Sequence, residues 1–142
     1  LPNCTLLIAG AEPAPQVLRL ANDHVEVRGW MDDIRDAYAS ANVFAAPLRI
    51  GSGLQNKLLE AMSMEIPCAT SSLANNALGG THLQEVAVAD DADDFAKLLV
   101  DLLTTPETAA QMAKLGRAFV AKNYSWQNMG DQLEELISST PE

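Results

Sequence analysis

Short apolar runs and longer amphipathic stretches follow one another along the chain, a pattern that predicts strands and helices in alternation. Residues 5–10 form an apolar run closed by Gly10, as a buried parallel strand does. After the Pro13 turn, residues 14–20 predict a short helix, and residues 25–30 alternate for four residues before ending in a glycine turn. Asp32 stands where it can cap a helix whose apolar set Ile34, Ala37, Tyr38 and Ala41 recurs at i, i+3, i+4 and i+7. Residues 43–48 read as another buried strand. Residues 53–65 read as a helix with Leu54, Leu58, Ala61 and Met62 on one face, and residues 67–71 as a fourth strand. The glycine- and asparagine-rich stretch 73–84 predicts a loop with at most a short helix. Residues 85–89 give a fifth strand. Asp91 then caps a helix bearing Phe95, Leu98, Leu99, Leu102 and Leu103, which Pro106 ends. Two further helices, 107–122 and 126–138, complete the chain. Ser125 caps the last, and Trp126, Met129, Leu133, Leu136 and Ile137 are expected to face inward.

Strands alternating with helices predict an α/β fold: a Rossmann-like parallel sheet of about five strands, with right-handed crossovers and helices on both faces. Ligands of such sheets bind beyond the carboxyl ends of the strands. A length of 142 residues predicts a single domain over 1–142. Nine basic against nineteen acidic residues give a net charge of −10, which opposes nucleic-acid backbones and anionic membranes. Neither is an expected partner. No apolar run approaches the roughly 20 residues that cross a bilayer. Cys4 and Cys68 lack metal-ligand spacing and sit in or beside apolar runs, which predicts buried reduced thiols and a cytoplasmic location. The sequence starts at Leu1 rather than a methionine and enters a strand within a few residues, as expected of a domain cut from something longer.

The richest chemistry lies in residues 47–62. An apolar stretch ending at Pro47 passes through Gly51, Ser52 and Gly53 into a helix carrying Lys57 and Glu60. A tight glycine turn at a helix start presents free N–H groups and the positive end of the helix dipole, which suit a phosphate. Ser52 with Gln55 also fits a capping box, so the turn reads equally as an ordinary helix start. Glu60 lies roughly 12 Å from Ser52 at 1.5 Å per residue, opposite the leucine face. There it can accept two hydrogen bonds from a ribose diol, or pair with Lys57 as a solvated surface charge. Arg49 and Lys57 bracket the turn and can neutralise phosphate charge or serve as plain surface cations.

The remaining polar residues carry less. His24 precedes a strand as a surface turn residue, and His82 in the long loop is a weak candidate for lining a cleft. Neither has a serine and carboxylate partner in a triad order. The acidic cluster at 90–94 lacks the alternation and glycine of a calcium loop and reads as helix capping.

The segments 27–33 (VRGWMDD), 38–48 (YASANVFAAPL), 51–53 (GSG), 57–62 (KLLEAM) and 66–67 (IP), in that order, resemble the C-terminal domain of retaining family-4 glycosyltransferases with the GT-B fold. Residues 123–126 (NYSW) look like the same family's exit from its penultimate helix, so the likeness covers nearly the whole chain. Within the family it is similar to bacterial sugar transferases of exopolysaccharide-type clusters. The resemblance implies a nucleoside-diphosphate sugar bound on this domain, an acceptor glycan or lipid held by a separate N-terminal domain, and metal-free transfer with retention.

Carried onto this sequence, the resemblance makes Glu60 the second glutamate of the family's paired motif, which holds the ribose. The first, which contacts the transferred sugar, falls at Ser52. Gly51, Ser52, Gly53 and Leu54 would hold the diphosphate, with Lys57 adding charge. The family's Arg and Lys that stabilise the leaving diphosphate precede the first strand seen here. The chain is therefore expected to be a fragment lacking the acceptor domain and the first strand–helix of this one, able to bind nucleotide weakly but not to transfer sugar. Two other readings remain open: half of a nucleotide-sugar 2-epimerase, and a non-catalytic receiver-like interaction domain. Against the receiver stands the stretch after the first strand, which offers only Glu12 where acidic residues would cluster.

Overall fold

The structure, a computed structural model, describes residues 3–51 and 53–138. These residues form two compact units that divide at Ala41 and Asn42. The first contains β1 (Leu6–Ala9), α1 (Pro15–Leu18), β2 (Val25–Arg28) and α2 (Arg35–Ala39). β1 and β2 pair in parallel, from Leu6 opposite Val25 to Ala9 opposite Arg28. Pro15 opens α1, where a missing N–H costs nothing. α2 is not capped by Asp32: its cap position is Ile34, which has no side-chain bond. Asp33 instead accepts the Arg35 amide at 2.9 Å and holds the Arg35 guanidinium in a fork.

The second unit contains β3 (Phe44–Ala46), α3 (Asn56–Ser63), β4 (Cys68–Thr70), α4 (Ser72–Leu78), β5 (Ala87–Val88), α5 (Ala92–Thr104), α6 (Pro106–Asn123) and α7 (Trp126–Ser138). Its sheet runs β3-β4-β5, all parallel, with Ala46 opposite Thr70 and Thr70 opposite Val88. Five strands and parallel pairing are as expected; hydrogen bonding groups the strands as two and three rather than as one sheet. β4 is buried throughout, because α3 packs on β3 and β4 and α5 packs on β4, so both its faces need small or apolar residues. Ala69, Ala87, Phe95, Leu102, Ala109 and Met112 form the core, each large side chain contributing roughly 1.5–3 kcal/mol by leaving water.

α6 reaches α3 through Gly116. A Cβ there would lie 3.0 Å from the Glu85 carbonyl and 3.3 Å from Met62 Cε, so a larger residue would force these neighbours to give by a few tenths of an ångström. The Tyr124 hydroxyl donates to the Leu78 carbonyl at 2.6 Å, tying the end of α6 to the end of α4.

Three expectations are corrected here, and one is met in more detail. The helix expected from residue 53 begins at Asn56, because Gly51 (φ 147°) and Gly53 (φ 71°) leave the helical region and Gln55 is extended. The stretch 73–84, expected as a loop with at most a short helix, contains the short helix α4. Ser71 caps it, a left-handed Gly79 ends it, and Ala74 and Leu78 are buried at i and i+4. Burial overrides the poor helix propensity of its asparagines. α7 forms with Ser125 accepting the Asn128 amide, but its apolar residues do not face inward: none is buried, and Trp126 is 94% exposed. Cys68 is buried as expected, whereas Cys4 is exposed.

Candidate functional site

The carboxyl ends of β3, β4 and β5 converge on a cleft of about 530 Å³. Its walls come from the three turns that leave the strands and from the first turns of α5. Leu48, Leu73, Phe95 and Leu99 supply apolar surface, and Arg49, Asp90 and Asp91 supply charge. This is where a parallel α/β sheet places ligands, since the turns there carry no helix or strand obligations.

Side chains join these turns to one another. Thr70, fully buried at the end of β4, donates its hydroxyl to the Ala46 carbonyl at 3.0 Å. Ser71 donates to the Leu48 carbonyl at 2.6 Å while capping α4. The Ser72 amide in turn donates to Asp90 Oδ1 at 2.8 Å. Hydrogen bonding from the Ser72 side chain, and then from this amide, holds the Asp90 carboxyl below its ordinary range. Asp91 accepts the Asp93 and Asp94 amides and so caps α5, the role read for the acidic cluster. None of Thr70, Ser71 or Asp90 stands out as a site residue in the sequence. The available signal was a run of three hydroxyl residues, Thr70 to Ser72, at the end of a buried strand.

Of the residues singled out in the sequence, Arg49 lines the cleft. Gly51, Gly53 and Leu54 follow in the exposed segment between β3 and α3; Ser52 lies outside the described residues. Gln55 is the cap position of α3 and its amide side chain donates to the Gly53 carbonyl at 3.2 Å, while the Ser52 half of the expected capping box lies outside the described residues. Lys57 and Glu60 are both exposed on α3, three residues and roughly 4.5 Å of helix rise apart, opposite buried Leu58, Ala61 and Met62. The glycine turn thus precedes the helix by several residues instead of forming its first turn. His82 is not in the cleft: its Nδ1 accepts the Val88 amide at 2.9 Å. Among the described residues no group of three or more potential ligand side chains is placed to hold a metal ion. Nor is any described helix long and apolar enough to cross a membrane.

The chain belongs to the glycosyl transferases group 1 family, whose model matches residues 1–105. It is 31% identical to the GDP-mannose-dependent monoacylated alpha-(1-6)-phosphatidylinositol monomannoside mannosyltransferase of Corynebacterium glutamicum, over 99% of this chain and 40% of that protein. It is 30% identical to the GDP-mannose-dependent alpha-(1-6)-phosphatidylinositol monomannoside mannosyltransferase of Mycolicibacterium smegmatis, over 100% of this chain and 41% of that protein. The chain therefore spans about two fifths of the length of these relatives. Among solved structures, HepE of Anabaena in complex with UDP superposes with a TM-score of 0.85 at 16% identity, over 99% of this chain and 42% of that one. Sucrose-phosphate synthase of Thermosynechococcus elongatus superposes at 0.78 with 21% identity, over 96% of this chain and 39% of that one. The fold is that of one half of a GT-B glycosyltransferase.

Proposed function

We propose that the chain is the donor-binding part of a retaining glycosyltransferase, which moves a hexosyl sugar from a nucleoside diphosphate to an acceptor glycan or lipid in the cytoplasm without a metal ion. The observation that carries this is the segment between β3 and α3. It leaves the carboxyl end of a parallel strand, adopts positive φ at Gly51 and Gly53, and leads into a helix presenting Lys57 and Glu60 to solvent. Glycines allow a diphosphate to approach backbone amides closely, and Arg49 and Lys57 neutralise its charge. Glu60 accepts the ribose hydroxyls through charge-assisted bonds. Two relatives depend on GDP-mannose and one structural neighbour was solved with UDP, which supports a nucleotide-sugar donor without choosing its base.

In the whole enzyme, catalysis rests on orienting the donor and stabilising the departing diphosphate, with the acceptor held by a part of the protein beyond this chain. The chain alone binds nucleotide and does not transfer sugar. Titration of the 142-residue chain with GDP and with UDP by calorimetry tests the donor assignment. Glu60→Ala should weaken the nucleotide that binds by roughly tenfold or more, the equivalent of one to two hydrogen bonds to a charged group. Unchanged affinity would remove Glu60 from the site.

A further inference from the structure

We propose that Ser71 is a positioning residue for the donor diphosphate, because its hydroxyl anchors the upstream end of the glycine segment. This rests on the glycine segment holding the diphosphate, as proposed above. The chain leaves β3 through a tight turn at Pro47, in which the Leu48 amide donates to the Ala46 carbonyl at 2.8 Å. Two successive hydroxyls of the neighbouring strand end grip that turn: Thr70 on the Ala46 carbonyl and Ser71 on the Leu48 carbonyl. Ala46 already belongs to the β3–β4 ladder, so its position is fixed without Thr70. Leu48 does not, and the 2.6 Å bond from Ser71 is what ties it to β4.

Arg49 is exposed, Ile50 is 89% exposed, and Gly51 and Gly53 have the widest backbone freedom of any residue. Among the described residues the segment is restrained again at Gly53, whose carbonyl accepts from Gln55, and at α3, fixed by fully buried Leu58. A backbone tied at both ends holds its amides in place; freed at one end, it loses the register that a diphosphate needs. Ser71 is itself only 5% exposed and held from the far side, where the next residue's amide donates to Asp90. The anchor is therefore stiff.

The test compares the 142-residue chain with Ser71→Ala, Ser71→Thr and Ser71→Cys by calorimetry, using GDP with GMP and UDP with UMP. Removing the hydroxyl should weaken the diphosphate about tenfold and the monophosphate much less, so that the ratio between them narrows. Ser71→Thr should restore it, and Ser71→Cys, a near-isostere with a weak donor, should fall between. Amide hydrogen exchange at 49–54 should quicken about tenfold in the alanine variant while that of β4 and β5 stays unchanged. An equal loss for both nucleotides, no loss at all, or failure of threonine to rescue would overturn the assignment. If the alanine variant does not fold, the cysteine variant carries the same comparison. If the unmutated chain binds neither nucleotide, the donor assignment fails, and exchange at 49–54 still decides whether Ser71 anchors the segment.

Discussion

Cys68 sits fully buried in β4, donating its thiol to the Ile66 carbonyl at 3.2 Å, and burial pushes its pKa up to about 12. At pH 8 only on the order of one molecule in ten thousand then carries the thiolate, the form that reacts. Cys4 is exposed. Ellman's reagent should therefore titrate one thiol at once in the native chain and the second only after denaturation; two fast equivalents would contradict the burial. Asp33 shows the opposite shift. Hydrogen bonds from the Arg35 side chain and amide lower it to about 2. A carboxylate depressed in the folded state adds stability above its ordinary value near 4 and loses it as pH falls through about 2. The pair is exposed, so the effect on folding is small, but carboxyl NMR should find the Asp33 midpoint near 2 and Arg35→Ala should move it upward. At this scale the sequence names candidate residues but is a poor guide to hydrogen-bond partners. It marked Glu60, Lys57 and the two glycines by type and order. It gave the cap of α2 to Asp32 and passed over Ser71, because a hydroxyl whose partner lies 23 residues away leaves no local trace.

The helices differ in what decides their packing. α5 repeats Phe95, Leu98, Leu99 and Leu102 at helical spacing, and Phe95 and Leu102 enter the core. α7 repeats apolar residues just as regularly, yet leaves Leu133, Leu136 and Ile137 more than half exposed. Periodicity fixes which side of a helix is apolar, not how fully that side is covered, and on α7 no described residue is buried. α6 instead depends on one small residue. Gly116→Val should destabilise the chain by roughly 2 kcal/mol in urea unfolding, since the new side chain meets the rigid Glu85 carbonyl. A variant as stable as the parent would mean that α6 can shift away from α3. The strands were legible to within two or three residues at each end. The start of α3 was not, because two glycines can either begin a helix or delay it, and only their φ values distinguish the cases.

In the molecule as a whole, the two units differ in how much they bury. Among described residues 3–41 only Tyr38 is buried, whereas residues 42–138 contain the β4-centred core. A two-stranded parallel sheet with so little covered should open more readily than a three-stranded one packed by α3 and α5. Amide exchange should therefore be faster in β1 and β2 than in β4; equal protection would mean that the units open together. The alternation of strand and helix was enough to reveal the α/β class and the parallel sense. It could not reveal the grouping into two- and three-stranded sheets, which depends on pairings between distant segments. The placement of aromatic residues has a practical corollary. The two tryptophans, Trp30 at 78% and Trp126 at 94% exposure, stand in water in the native chain. Their emission is already that of solvated indole, red-shifted and open to quenching by iodide, so denaturation will scarcely move it. A fluorescence melt would make this chain look unfolded from the start, and far-ultraviolet circular dichroism is the signal by which its folding can be followed.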